Sequence, residues 1–166
     1  MRLKFICILL VIIITGLLIP QNFTIPVLNA TQSDYHPDSF WYEPWGASGT
    51  HKGVDIFAEK GQKVMASTGG LVIYSGKMKY GGKVIMVLGA KWRVHYYAHL
   101  DSSKADVFDR VSMGEDIGTV GNSGNAKGKQ PHLHYSITSL VPYLWRYDDS
   151  TQGWKKMFYL NPIEYF

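Results

Sequence analysis

Cysteine is nearly absent from this chain. Its one cysteine, Cys7, lies in an apolar run close to the N-terminus, too near the start to resemble the modified cysteine of a lipoprotein. The remainder of the sequence has no thiol. A disulfide framework and a cysteine nucleophile are therefore excluded for any domain that follows the run.

The chain also has only a small excess of positive over negative charge. The net charge is +4 at pH 7, and Arg2 and Lys4 supply two of those positive charges. Because no acidic residue precedes Asp34, a chain cut before Thr31 would carry a net charge of +2. So mild an excess argues against a nucleic-acid partner. Charged residues make up 18% and hydrophobic residues 46% of the chain, which are globular values.

Long amphipathic helices and repeats of fixed period are missing as well. Instead, glycines separate short apolar segments at spacings of about 8 to 12 residues. We predict strands over Val54–Phe57, Lys63–Ala66, Gly70–Ser75, Lys83–Leu88, Arg93–Ala98, Asp116–Val120 and His132–Thr138. The pattern indicates a mainly β fold, a compact antiparallel β-sheet sandwich or barrel-like fold. A brief helical turn is predicted over 102–108.

The first thirty residues differ from the rest. Arg2 and Lys4 precede an apolar run from Phe5 to Pro20, and the small Ala30 stands before Thr31, as in a secretory signal. The alternative is an uncleaved membrane anchor helix, although the run is short of the roughly 20 residues that span a bilayer. Both place the domain outside the cytoplasm, in the periplasm, the cell envelope or the extracellular space. We divide the chain into this signal or anchor (1–30), a connecting arm (31–44), a core (45–140) and an aromatic-rich C-terminal flap and docking segment (141–166).

Two of the six histidines stand in the stretch Q-P-H-L-H-Y-S-I. On a strand, His132 and His134 would point to one face and Leu133 to the core. Such a pair can share a metal ion, or one histidine can bind the ion while its neighbour assists. Taken alone, the spacing fits a pair of surface or hydrogen-bonded histidines better.

Two upstream motifs provide partners. In H-K-G-V-D, His51 and Asp55 share a face of an extended segment with only Gly53 between them, which leaves room for an ion. Zinc accepts both ligand types, and catalytic zinc typically has three protein ligands. His99 ends an alternating strand, and the alternation places it on the same face as His95 and Tyr97. Each motif is weak alone, but chance is a poor explanation for all three.

At these motifs the sequence resembles the lysostaphin/LytM-type zinc metallopeptidases, which cut bacterial cell-wall peptides. The resemblance runs from about Trp45 to Thr138 and rests on H-x-x-x-D at 51–55, Y-x-H-L at 97–100 and P-H-L-H at 131–134. It implies an antiparallel β fold whose groove holds one Zn²⁺, with His51, Asp55 and His134 as ligands. By the same resemblance, His99 and His132 would be the catalytic pair that does not bind the metal.

The predicted function is that of an exported zinc metalloendopeptidase that hydrolyses peptide bonds in peptidoglycan stem-peptide cross-links. One unligated histidine would accept the proton of the attacking water, and the other would stabilise the oxyanion and protonate the leaving amine. The alternatives are a non-catalytic LytM-like module that regulates cell-wall hydrolases and a peptidase that acts on secreted proteins. We expect a monomer whose partners are stem peptides, without nucleic acid, and which contacts a membrane only through an uncleaved N-terminal segment.

Overall fold

The computed structural model describes residues 2–166, with side chains from residue 4 onward. One α-helix, α1, covers Arg2–Leu18. Ten strands follow: β1 (Val54–Phe57), β2 (Lys63–Met65), β3 (Gly70–Met78), β4 (Gly82–Gly89), β5 (Arg93–Leu100), β6 (Ser102–Ser103), β7 (Arg110–Val111), β8 (Asp116–Thr119), β9 (His132–Ser139) and β10 (Tyr159–Leu160). Short 3₁₀ helices lie at Gln32–Asp34, Gly46–Ser48, Ala90–Trp92, Gly124–Ala126, Leu144–Arg146, Gly153–Met157 and Pro162–Tyr165.

The N-terminal helix is apolar and largely exposed. Its leucines and isoleucines are largely exposed, and Trp92 donates a hydrogen bond from Nε1 to the Ile13 carbonyl oxygen at 3.0 Å. Within residues 2–166, no helix has both the length and the apolar character that crossing a membrane requires. The role of residues 1–30 as a signal or an anchor stays a prediction.

The strands form two antiparallel sheets. The larger sheet has seven strands in the order β1-β9-β5-β4-β3-β7, and β10 also pairs with β9. The smaller sheet has the order β2-β8-β6. Strand β9 is central to the larger sheet, because β5 pairs along one edge of it while β1 and β10 share the other.

All seven predicted strands are present, and the mainly β, antiparallel prediction is confirmed. The barrel-like alternative is wrong, because the larger sheet ends at β1 and β7 and the described strands do not close into a ring. The helical turn predicted over 102–108 is also wrong. Ser102 instead pairs with Thr119 as part of β6, and their hydroxyl oxygens lie 2.7 Å apart.

The hydrophobic core fixes which way the β9 side chains point. Both sheets contribute to it, and Ile56, Leu133 and Tyr135 of the larger sheet are fully buried beside Ile117 of the smaller one. Burying a leucine contributes about 1.5–3 kcal/mol. A slip of β9 by one residue would turn this apolar set to the opposite face, so the register is strongly specified.

The arm and the C-terminal segment are tied to the same end of the sheet. The His51 amide donates to the Tyr42 carbonyl oxygen at 2.9 Å, and the Trp41 amide donates to the His51 carbonyl oxygen at 2.6 Å. Trp41 Nε1 donates to the Thr151 carbonyl oxygen at 3.1 Å. The arm therefore holds the backbone of His51, and the C-terminal segment in turn holds the arm.

Candidate metal and catalytic site

The structure brings all five predicted site residues together on one face of the larger sheet. Asp55 on β1 pairs with His134 on β9, and His134 pairs in turn with Ala98 on β5. His132 and His134 point to the same face, since Leu133 between them is buried in the core. Three adjacent strands therefore supply four of the five residues, Asp55, His99, His132 and His134.

His51 lies just before β1, and its ring turns back over Asp55. Gly53 makes this possible, because the segment passes close to β9 at this residue. A Cβ atom at Gly53 would collide with the Tyr135 carbonyl oxygen and would lie 3.0 Å from Cε1 of His134. A larger residue between His51 and Asp55 on this face would therefore clash with β9, which gives a steric reason for the glycine.

Three ligand-type atoms converge at this point. His51 Nε2 lies 3.1 Å from Asp55 Oδ1 and 3.1 Å from His134 Nδ1, and His134 Nδ1 lies 2.8 Å from Asp55 Oδ1. Atoms bound at about 2.0–2.1 Å to a tetrahedral zinc ion are about 3.3 Å apart, only a few tenths of an ångström more. His51, Asp55 and His134 are thus a group that could hold one metal ion.

The protonation of these residues also suits a cation. His51 Nδ1 donates to the Ser39 carbonyl oxygen at 2.9 Å, which leaves Nε2 with its lone pair in the neutral ring. Burial opposes ionisation of Asp55, but the neighbouring imidazoles of His134 and His51 outweigh it and hold the pKa of its carboxyl well below the usual range. Asp55 is therefore a carboxylate that can bind a metal ion.

His99 reaches the site by a route that strand alternation does not predict. His95 and Tyr97 are fully buried in the core, whereas the His99 ring lies 5.0 Å from the His132 ring and 6.0 Å from the His134 ring. The predicted face of His99 is therefore wrong. Its backbone has φ +65°, and the pairing of β4 with β5 shifts register just beside it, between Lys83 and Ile85. This left-handed residue turns the side chain to the opposite face.

His99 and His132 share one hydrogen-bonding arrangement. His99 Nδ1 donates to the Ser123 carbonyl oxygen at 2.9 Å, and His132 Nδ1 donates to the Gln130 carbonyl oxygen at 2.7 Å. Each ring therefore keeps the lone pair of Nε2 when neutral. His132 Nε2 is 4.0 Å from Asp55 Oδ2. Burial, followed by the charges of His134 and His132, lowers the pKa of His99 to about 4, so its ring is neutral at neutral pH.

Sequence reasoning missed the groups that orient these rings. The carbonyl groups of Ser39, Ser123 and Gln130 hold the three Nδ1 atoms, and main-chain groups leave no signal in residue type. Trp45 stacks on His51 with ring centroids 4.1 Å apart. A tryptophan before the first motif was visible in the sequence, but only the fold shows that the two rings meet.

All five predicted site residues lie inside the match to a family model. Residues 49–143 match Peptidase family M23, which is more than half of the chain, and the chain belongs to this family. The predicted kinship with lysostaphin/LytM-type peptidases is thereby confirmed.

Two curated relatives carry different names. The chain is 34% identical over 124 residues to the L-Ala--D-Glu endopeptidase of Bacillus subtilis, a match that covers 69% of this chain and 37% of the relative. It is 30% identical over 138 residues to the murein hydrolase activator NlpD of Salmonella typhimurium, with coverage of 74% and 36%. The chain therefore spans little more than a third of the length of these relatives.

Two solved structures share the fold. The catalytic domain of lysostaphin from Staphylococcus simulans superimposes with a TM-score of 0.63 at 25% identity, covering 80% of this chain and 92% of that chain. A zinc-containing peptidase from Vibrio cholerae gives a TM-score of 0.58 at 26% identity, covering 70% and 36%.

Proposed function

We propose that this protein is a zinc metalloendopeptidase that hydrolyses peptide bonds in peptidoglycan stem-peptide cross-links, in the cell envelope or outside the cell. The observation that carries the proposal is the meeting of three ligand-type atoms within 3.1 Å of one another beside two further histidines. The first group suits a metal ion, and the second suits proton transfer. One site combines both requirements of a metal-dependent hydrolase.

His51, Asp55 and His134 would hold the ion. Two imidazoles and one carboxylate suit Zn²⁺ better than Ca²⁺ or Mg²⁺, which prefer six or more oxygen ligands. A relative of this fold is described as a zinc-containing peptidase, which supports the choice. Zinc with three protein ligands supplies a nucleophilic water at neutral pH and polarises the scissile carbonyl.

His99 and His132 would move the protons. With Nδ1 held by a backbone carbonyl group, each ring presents Nε2 and can accept the proton of the attacking water. The partner, when protonated, donates to the developing oxyanion and then to the leaving amine. In both rings Nδ1 donates to a backbone carbonyl group, so the geometry fits either histidine as the base and the other as the acid.

A regulatory role is the second candidate, because one curated relative is named as a murein hydrolase activator. In that role the chain would bind wall hydrolases without cleaving peptides. The five histidine and aspartate side chains favour the enzyme, since a module that only binds has no need for two further histidines beside a group that could hold a metal ion. Cleavage of secreted proteins instead of peptidoglycan is a variant of the same chemistry.

Alanine variants of the five residues test the proposal. His51→Ala, Asp55→Ala and His134→Ala should lose zinc and cleavage together. His99→Ala and His132→Ala should keep zinc and lose about 10²-fold or more in rate, as expected for a general acid–base group or an oxyanion donor. Zinc is measured by metal analysis, and cleavage by mass spectrometry of muropeptides released from purified peptidoglycan.

Three outcomes would contradict specific parts of the proposal. Loss of zinc in His132→Ala with retention in His134→Ala would reverse the ligand assignment. Full activity of His99→Ala would remove it from the catalytic pair. A zinc-loaded wild type that releases no muropeptide, yet increases cleavage by a separate wall hydrolase, would favour the activator.

A further inference from the structure

A cleft of about 570 Å³ opens beside the histidines, and its charge is one-sided. Its lining includes His51, His99 and His134 together with two lysines, Lys52 and Lys129. None of the described residues that line it is an aspartate or a glutamate. We call this space the histidine cleft. A peptide bound in it would meet positive charge that the lining does not neutralise.

Lys52 occupies the more informative of the two lysine positions. It follows His51 directly and also lines a second cleft, of about 410 Å³, which His134 lines as well. Lys52 is half-buried, whereas Lys129 is exposed at the rim. In the described chain, neither lysine takes part in an ion pair, although four other lysines do.

The ammonium group of Lys52 is held in place by neutral acceptors. Nζ donates to the Ser48 carbonyl oxygen at 2.9 Å and to the Thr50 carbonyl oxygen at 3.2 Å. Gln152 Nε2 donates to the same Ser48 carbonyl oxygen at 2.9 Å, which fixes that acceptor from the C-terminal segment. An ammonium group has three N–H donors, so one remains for a ligand.

We propose that Lys52 binds a carboxylate of the substrate, so that the histidine cleft selects peptides with a free carboxyl group next to the scissile bond. This specificity rests on the proposed peptidase function and names its substrate class. A hydrogen bond between an ammonium and a carboxylate is about twice as strong as a neutral one, and partial burial strengthens it further. Stem peptides with a free side-chain carboxyl group belong to this class, and their amidated forms do not.

Two synthetic peptides test the idea. They share one sequence and one scissile bond, and differ only in whether the neighbouring side chain ends in a carboxylate or a carboxamide. The wild type should have a kcat/KM about 10- to 100-fold higher for the carboxylate peptide, the range of one hydrogen bond to a charged group. In Lys52→Gln this preference should disappear through a higher KM for the carboxylate peptide, with zinc content and turnover of the carboxamide peptide preserved.

Lys127→Gln is the matched control. It removes the same charge from an exposed lysine of the same basic loop as Lys129, outside the lining of the histidine cleft, and should keep the wild-type preference. An unchanged preference in Lys52→Gln, or no preference in the wild type, would overturn the proposal. If the wild type cleaves neither peptide, the peptidase function fails. Calorimetric binding of both peptides to wild type and Lys52→Gln then still decides whether Lys52 recognises the carboxylate.

Discussion

Replacing Gly53 by alanine should push apart β1 and β9, the strands that carry Asp55 and His134. The φ of Gly53 is not in the left-handed region, so alanine can adopt the backbone conformation and the effect is purely steric. The added Cβ would collide with the Tyr135 carbonyl oxygen and stand 3.0 Å from both Cε1 of His134 and Cβ of Ser136. In Gly53→Ala, β1 and β9 must therefore move apart at the pair that joins Asp55 to His134.

The size of the effect follows from these distances. Relaxing a 3.0 Å contact to an ordinary 3.4 Å requires a shift of at least about 0.4 Å, and the closer contact with the Tyr135 carbonyl oxygen requires more. A metal site tolerates only roughly 0.2 Å in its ligand distances. Overpacking of this kind costs about 1–3 kcal/mol of unfolding free energy. We expect a melting temperature lower by about 2–4 °C for each kcal/mol. Zinc affinity should fall about 10- to 100-fold, as for other disturbances of ligand orientation.

Gly69→Ala is the control for this variant. A Cβ at Gly69 would lie 3.4 Å from the Val111 carbonyl oxygen, an ordinary contact remote from the histidines. Zinc affinity is measured by competition with a chromophoric chelator, and stability by thermal melting of the metal-free protein. The reasoning fails if Gly53→Ala binds zinc as tightly as Gly69→Ala does.

Two further predictions concern the metal and pH. A strong chelator should abolish cleavage and lower the melting temperature, because an ion bound to the folded state alone stabilises it; Zn²⁺ should restore both and Mg²⁺ neither. Activity that survives complete removal of metal would contradict this. Burial, followed by the charge of Arg93, lowers the pKa of His95 to about 3. The unfolded chain therefore binds the extra proton, and this contribution to stability is complete above about pH 6.5 and lost as the pH falls toward 3, by about 1.4 kcal/mol per pH unit. Urea unfolding of metal-free protein at pH 7 and pH 5 should reveal this slope in the wild type. In His95→Gln the slope should be smaller by about 1.4 kcal/mol per pH unit, and the part due to His99, whose pKa is also lowered, should remain.

The strands and most of the site were predictable from local patterns. Glycine-separated apolar segments gave seven strands with nearly correct bounds, because burial of one strand face imposes alternation on the sequence. The same alternation correctly placed His132 and His134 opposite Leu133. The ligand set came from a resemblance in three motifs, and the structure now brings those motifs to one point.

The remaining features depend on contacts that a local pattern does not contain. His99 changes face because of its left-handed backbone, which its amide and ring stabilise through hydrogen bonds to the carbonyl groups of Gly81 and Ser123. Such a conformation costs about 1–3 kcal/mol and persists only where its surroundings enforce it. Local patterns also do not show that the larger sheet stays open between β1 and β7, because strand number and alternation do not determine which edges pair.

Strands position most of the site's side chains, and the arm and loops orient the histidine rings. Strands β1, β5 and β9 carry four of the five side chains and fix their positions through a shared register, so a change of register would disperse them together. The arm and the loops near β9 supply the carbonyl groups that hold three Nδ1 atoms and so fix which nitrogen faces the cleft. Because these are main-chain groups, the loop sequences can vary around the cleft without changing the tautomers. Under the proposed function, a change in the basic loop at 122–130 or in the lysine after His51 would alter which substrate is bound and leave the chemistry of the five site residues unchanged.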